Sequence, residues 1–372
     1  MQVRYQSLFI YTIGEESIVL LRAQIYALRI QPQKDRKFMA SSYITLVRYG
    51  FASLFALVRG VTGIGRTPLF ISWNLTFRCN LRCAYCGAAD APRRESSTEE
   101  IKAGLDQLYR LGGRWVTFGG GEPLLRRDLG ELIDYAKQRR FQVFLSSNGS
   151  FIPERIDELR PVDNINLSLD GPQQIHDTIR GAGAFDATLR AAESLQKAAL
   201  PFSFQCVLAN HNLNCVEETL LLAKEQGAWM MFQPATQWLD SSTKPNPFAP
   251  PVDAYRETIK HLMQLKKAGL PVANSKAGLR HLMQWPDDRA IRCLAGRLMV
   301  SVEPDGTMIS CHQCEVARFL KATDAPNNSL TEQFLQTKPP RGCVQCWCGP
   351  IVELALVCSL HPEAIWNTLR RF

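Results

Sequence analysis

Three cysteines fall within eight residues in the stretch FRCNLRCAYCG: Cys79, Cys83 and Cys86. Clustered thiolates select soft metals and iron–sulfur clusters. A structural zinc site is closed by four ligands, and a cubane iron–sulfur cluster is normally held by four cysteines. Three thiolates from one loop leave one metal position open, and an open position is where a substrate or cofactor can bind. A second group follows later: Cys293, Cys311, Cys314, Cys343, Cys346, Cys348 and Cys358. Seven thiolates suffice for one complete site and a second open one. His312 is either an eighth ligand or a solvent-facing histidine. Paired Cys-x2-Cys units also build zinc ribbons, so zinc is the alternative metal for this group. Cys206 and Cys215 fit no motif, and Cys206 in FSFQCVLA reads as a small buried hydrophobe.

Other polar groups recur at places where a ligand could lie. GGGEP, residues 119–123, joins glycines, which let a ligand approach the backbone, to Glu122, a carboxylate able to accept from an ammonium. SSNG (146–149) and SLDG (168–171) offer hydroxyl, amide and carboxylate groups suited to ribose hydroxyls and a carboxylate. Each is also an ordinary polar turn between a strand and a helix. Arg180, in TIRGAG, is either a ligand-facing cation or a solvated one.

These side chains need a scaffold, and composition bounds it. The chain has 372 residues, 46% hydrophobic and 21% charged, which excludes a disordered chain and suffices for a sizeable core. Twelve cysteines in tight clusters, behind a start without a signal-peptide pattern, favour metal ligation in a reducing, cytoplasmic setting over disulfides. Residues 1–70 hold nine Lys/Arg and three acids, +6 of the chain's +8. The apolar runs in that segment are interrupted by arginines and are too short to span a bilayer. They suit a helix lying on the inner face of a membrane, or a basic helical extension packed on the core.

From Leu69 the pattern becomes strand and helix in alternation. LFISWNLT, RWVTFGGGEP, FQVFLSSNG, DNINLSLDG, PFSFQCVLA and AWMMFQPA read as strands, with helical stretches between them. TEEIKAGLDQLYRLG is one such helix, with Thr98 as its expected cap. Short buried strands separated by helices imply a parallel sheet. Six units are too few for an eight-unit barrel, so the expected fold is α/β, a partial (β/α)6 TIM-like barrel. In such folds chemistry sits at the C-terminal strand ends, where the cysteine loop, the glycine run, SSNG and SLDG all fall. DSSTKPNPFAPPVDAY reads as a linker, IKHLMQLKKAGL as a helix, and PDG (304–306) as a hairpin turn. The expected organisation is an N-terminal helical segment (1–66), the barrel (67–238), a linker with helices (239–290) and a small cysteine-rich α+β extension (291–372).

Cys-x3-Cys-x-aromatic-Cys directly after a first strand, with Tyr85 as the aromatic, resembles the signature of radical S-adenosylmethionine (SAM) enzymes. The resemblance covers about residues 69–236. It implies that Cys79, Cys83 and Cys86 hold a [4Fe–4S] cluster whose fourth iron is chelated by SAM. Reductive cleavage of SAM would give a 5′-deoxyadenosyl radical that takes hydrogen from a substrate. It further places Tyr85, Gly120, Gly121, Glu122, Ser147, Asn148, Ser168, Asp170 and Arg180 among the SAM contacts. CLAGRLMVSVEPDGTMISC resembles the start of a SPASM extension, which carries auxiliary [4Fe–4S] clusters. The later spacing, CVQCWC with Cys358 beyond, departs from that pattern and leaves one or two clusters open. The implied partners are an electron donor such as flavodoxin or ferredoxin and an unknown substrate: a peptide, a cofactor or natural-product precursor, or a membrane-held lipid. Two other functions stand beside this one. A non-catalytic iron–sulfur electron carrier is opposed by the intact cysteine triad with Gly-Gly-Glu. RNA modification is opposed by positive charge lying before the barrel rather than at its mouth, so no nucleic-acid partner is expected.

Overall fold

The computed structural model describes residues 65–86, 94–237, 245–287, 291–311, 328–338 and 346–371. The N-terminal segment, with its expected helices and membrane contact, therefore lies outside the described residues, as do Cys314, Cys343 and His312. No described helix is long and apolar enough to cross a membrane.

Six strands run parallel in chain order: β1 (Phe70–Thr76), β2 (Trp115–Gly120), β3 (Gln142–Ser147), β4 (Asn164–Ser168), β5 (Phe202–Leu208) and β6 (Trp229–Pro234). The helices between them are α1 (Thr98–Arg110), α2 (Leu129–Gln138), α3 (Gln173–Arg180), α4 (Ala184–Lys197) and α5 (Val216–Glu225). This is the expected α/β partial barrel. The cap of α1 lies one residue earlier than expected. Ser97 accepts from the Glu100 amide while Glu100 reaches back to the Ser97 amide, and Thr98 instead donates to Asp128.

Every strand alternates. One face is buried under the helices: Ile71, Trp73 and Leu75 on β1, Val116 and Phe118 on β2, Ile165 and Leu167 on β4. The other face lines the barrel interior, is half-buried and mixes polar side chains (Ser72, Asn74, Thr117, Ser146, Asn164, Asn166, Ser168, Ser203, Gln205 and Gln233) with apolar ones (Phe70, Trp115, Phe144, Val207, Trp229 and Met231). None of the described strands contains a charged residue.

The region after the barrel is bound into it. α6 (Val252–Lys267) and α7 (Lys276–Leu282) contribute Tyr255, Ile259, Leu262, Leu279 and Leu282 to the main core, and α6 contains most of the helix expected over IKHLMQLKKAGL. Residues 271–274 cover the outer edge of β6, with Met230 N–H donating to the Pro271 carbonyl at 2.8 Å and Phe232 N–H to Asn274 Oδ1 at 2.8 Å. The expected PDG hairpin forms between β7 (Met299–Val302) and β8 (Met308–Ile309). Its first strand does not start a separate layer: β7 pairs parallel with β1, and the sheet order becomes β6-β5-β4-β3-β2-β1-β7-β8. Three helices complete the region: α8 (Leu330–Gln336), α9 (Gly349–Cys358) and α10 (Pro362–Leu369). α9 begins against the end of β6, where Gly349 N–H donates to Gln233 Oε1 at 3.1 Å. It ends in a second apolar cluster with Leu69, Leu294, Leu298 and Met299, below the start of β1. The helix thus crosses the gap the six strands leave open.

Candidate active site

The cysteine loop leaves β1 at Thr76 and is pinned there by Glu95, a residue the motif reading did not single out. Thr76 Oγ1 and Phe77 N–H donate to Glu95 Oε1 at 2.6 and 2.9 Å, and Arg78 pairs with Oε2 at 3.4 Å. Burial opposes ionisation of Glu95, but these donors outweigh it and hold the carboxyl below its ordinary range. The far side of the loop is tied to α3, where Ala84 N–H donates to the Ile179 carbonyl at 2.9 Å.

Cys79 and Cys83 are half-buried and Cys86 is exposed. Burial raises the Cys79 and Cys83 thiols; the Cys86 sulfur raises both, and that of Cys79 raises Cys83, which places them in one field. Leu81 N–H and Asn148 Nδ2 lie 3.4 and 3.9 Å from Cys79 Sγ, and Arg180 Nη1 lies 4.0 Å from Cys83 Sγ. Such donors stabilise thiolates. Among the described residues no three ligating side chains converge tightly enough for a single metal ion. A four-iron cluster spreads its thiolates wider than one tetrahedral ion does, and three sulfurs on one loop with donors directed at two of them fit that group.

The glycines serve two different purposes. A Cβ on Gly120 would meet the Thr76 carbonyl at 2.5 Å, and one on Gly121 the Arg78 carbonyl at 2.2 Å. Gly121 and Glu122 N–H donate to those same two carbonyls, each at 2.8 Å. Gly120 and Gly121 therefore admit the cysteine loop's backbone, which is a different use from the expected approach of a ligand. Gly119 is the glycine with room: its Cβ would meet only Asn74 Oδ1 and Ser146 Cβ, both at 3.8 Å, on the interior face. The strand period, applied from Val116, points it out.

Glu122 is fully buried. Its Oε1 accepts from Leu124 N–H and Ser147 Oγ at 3.1 and 3.0 Å, and its Oε2 from Asn148 N–H at 2.8 Å. Burial pushes its pKa up to about 7, against those donors. Oε2 carries one donor and keeps room for a cationic one. Ser147 is committed to Glu122 and lies on the buried face of β3, while Ser146 faces the interior with Ser168 of β4. Asn148 bridges Glu122, Cys79 and, through Nδ2, Asn80 Oδ1 at 2.9 Å.

Asp170, Arg180 and Tyr85 come together, but facing one another. Asp170 is fully buried, and its Oδ2 accepts from both Arg180 Nε and Tyr85 Oη at 2.7 Å. Its Oδ1 accepts from Val207 N–H at 3.0 Å, so the carboxylate expected to meet a ligand is already filled from inside the protein. Burial works against its charge, yet Arg180 holds the carboxyl below the usual range.

The later cysteines divide. Cys346 lies within electrostatic reach of Cys293, Cys311 and Cys348, and Cys348 within that of Cys311; burial raises the Cys346 thiol well above its ordinary value and the Cys348 thiol to about 12. Neutral thiols are what such an apolar site holds without metal; thiolates there require a compensating cation. His281 Nε2 lies 2.9 Å from the Cys346 carbonyl and packs against the Trp347 ring. Cys358 is at the other end of α9, ten positions from Cys348 and so roughly 15 Å along the helix. Its thiol is raised by burial to about 12 and partly offset by Arg292. It lies apart from those four, and the number of clusters and their ligand sets were left open by the spacing.

Comparison with known proteins follows this geometry. The family model for the Radical SAM superfamily matches residues 73–223. Mycofactocin maturase MftC of Mycolicibacterium smegmatis is 30% identical over 310 residues, covering 76% of each chain. The AdoMet-dependent heme synthase of Methanosarcina barkeri is 37% identical over 169 residues, 43% of this chain and 48% of that enzyme, so the match spans about half of its length. The solved structure of native anSMEcpe with bound AdoMet and Kp18Cys peptide superposes with a TM-score of 0.60 at 19% identity, over 73% of this chain and 81% of that one, which shows the shared fold.

Proposed function

We propose, from the premise that this chain belongs to the radical SAM superfamily, that it modifies a neutral, hydrogen-bonding substrate, a peptide or peptide-derived precursor, held in the barrel interior. Enzymes of this superfamily use a [4Fe–4S] cluster and SAM. Bound together, these supply one-electron cleavage of SAM and a radical able to take a hydrogen atom.

The observation that carries the substrate class is the interior face. It presents amides and hydroxyls from Asn74, Thr117, Asn164, Asn166, Ser203, Gln205 and Gln233, from strands without a charged residue. Asn164, Asn166 and Ser203 pair with one another, Asn74 with Glu303 and Gln233 with Gly349, and a peptide's carbonyls and amides can pair with the donor and acceptor positions that these bonds leave. A tetrapyrrole such as heme brings carboxylates, which these strands have no cation to meet.

The remaining roles follow from placement. Cys79, Cys83 and Cys86 hold the cluster, with Cys86, the exposed sulfur, on the side open to an electron donor such as flavodoxin or ferredoxin. Glu122 Oε2 receives the SAM ammonium, which would keep the carboxylate ionised. Gly119, Ser146 and Ser168 border the nucleoside from the interior face. Cys293, Cys311, Cys346 and Cys348 hold one auxiliary cluster, beside the end of β6 and thus at the rim of the same interior.

The test is anaerobic incubation with dithionite and SAM. The protein should release 5′-deoxyadenosine, and deuterium from a labelled peptide substrate should appear in it. Asn166→Leu with Ser203→Ala should lower release in the presence of that peptide while leaving the substrate-free rate intact. Equal loss with and without peptide would show that the interior face does not bind it.

A further inference from the structure

Arg180 is a largely buried cation. Its side chain is about one-tenth exposed, and the Asp170 side chain is not exposed at all. Arg180 Nε donates to Asp170 Oδ2 at 2.7 Å and Nη2 donates to Tyr85 Oη at 2.6 Å. Tyr85 in turn donates to Asp170 Oδ2 at 2.7 Å, so the three groups form a closed triangle. Asp170 is itself immobilised. Besides Val207 N–H on Oδ1, its amide donates to His176 Nδ1 at 3.1 Å and its carbonyl accepts from Asn212 Nδ2 at 2.8 Å. Two of the three guanidinium nitrogens are thus fixed, and the third, Nη1, is aimed at Cys83 Sγ, 4.0 Å away.

We infer that Arg180 is a positioning residue that sets the reduction potential of the cluster bound at Cys83. This rests on the reading of Cys79, Cys83 and Cys86 as cluster ligands. A reduced cluster carries one more negative charge than an oxidised one, so a fixed cation beside a ligand sulfur favours reduction. Guanidinium suits the task because it does not deprotonate. Asp170 lies behind it and cancels part of the field, but Asp170 pairs with Nε, while Nη1 is the nitrogen directed at Cys83 Sγ, 4.0 Å away. Tyr85, between Cys83 and Cys86 in the chain, ties the same loop to the same cation. Asp170 and Tyr85 therefore hold the charge in place.

The test uses full-length reconstituted protein without SAM, so that contact between Arg180 and SAM does not enter. Iron and sulfide content come first, and then a potentiometric titration followed by electron paramagnetic resonance. Arg180→Gln should load a full cluster, and at a fixed potential its ratio of reduced to oxidised cluster should fall about tenfold, the equivalent of 59 mV for one electron. Arg180→Lys keeps the charge and loses the fork, and should fall by about threefold. Tyr85→Phe, which removes one tether and no charge, should fall less than either. An Arg180→Gln protein with full iron and unchanged potential overturns the proposal, as does a change confined to SAM affinity. If Arg180→Gln does not fold, Asp170→Asn, which removes the anion behind the cation, should raise the ratio of reduced to oxidised cluster, and an unchanged or lower ratio overturns the proposal equally. A parent protein that binds no [4Fe–4S] cluster would remove the underlying reading, an outcome distinct from both.

Discussion

The two cysteine regions are built on opposite principles. Around Cys79, Cys83 and Cys86 the chain supplies charge and polar donors: Glu95 at the root of the loop, Asn148 on one sulfur, Arg180 on another, with Cys86 left exposed. Around the second set it supplies apolar surroundings: Cys311 is buried, Cys346 and Cys348 are half-buried with thiols raised by desolvation, and Cys293 is exposed. A polar, accessible site exchanges electrons and ligands with solvent. The second set adjoins the start of α9, so its occupant bears on the packing of that helix.

Removing each site should therefore have different consequences, and the largest concerns the first. Cys79→Ala/Cys83→Ala/Cys86→Ala should lower iron by about four per chain and abolish deoxyadenosine release while leaving the fold intact. Persistent release would break the comparison at once. Cys346→Ala/Cys348→Ala should also remove about four irons and should cost stability, seen as a lower Tm, because α9 loses its anchored start. Substrate-free SAM cleavage should remain within a few-fold of the parent. Zinc in place of that iron would make the second region a structural ribbon.

Two smaller effects sharpen the contrast through single charges. Asp170→Ala leaves the Arg180 cation buried and unpaired, at a cost of about 3–5 kcal/mol measurable by denaturant unfolding. Glu122, with a folded pKa raised from 4.5 to about 7, stabilises the ligand-free fold when protonated. That contribution is fully present below about pH 4.5 and is lost as pH rises through about 7, a change on the order of 3 kcal/mol. Glu122→Gln should flatten that slope, and SAM should reverse it if its ammonium meets the carboxylate. The smallest effect belongs to Cys358→Ala. Iron content should not change, and only the lost packing of one buried sulfur should register, about 1–2 kcal/mol.

Much of this was legible in the chain because its signals are local. The six strands follow from a two-residue period between turn residues, and the three-cysteine loop after β1 carries the spacing that resembles the radical SAM signature. What the sequence concealed depends on partners far away. Glu95 carries no motif, and its use appears only once Thr76 and Phe77 turn toward it. Gly120 and Gly121 looked like room for a ligand, yet the crowding backbone of Thr76 and Arg78 decides their identity. Ser147 and Asp170 looked like contacts at a mouth, but the strand period and Arg180 turn them inward. The separation of Cys358 from Cys348 needed only the knowledge that a continuous helix joins them, which the CVQCWC spacing obscured.

The pairing of β7 with β1 bears on how the chain comes to be made. The two strands are about 230 residues apart in sequence. During synthesis the first strand of the barrel, rich in large apolar side chains, waits with one edge unpaired until nearly the whole polypeptide has emerged. An open edge of that kind recruits other chains, and contacts of such long range form slowly. A version shortened before Met299 should therefore accumulate as aggregate rather than as a working barrel, and yield in cells should depend on chaperones during that interval. The C-terminal hairpin is in this respect the last stitch of the first strand.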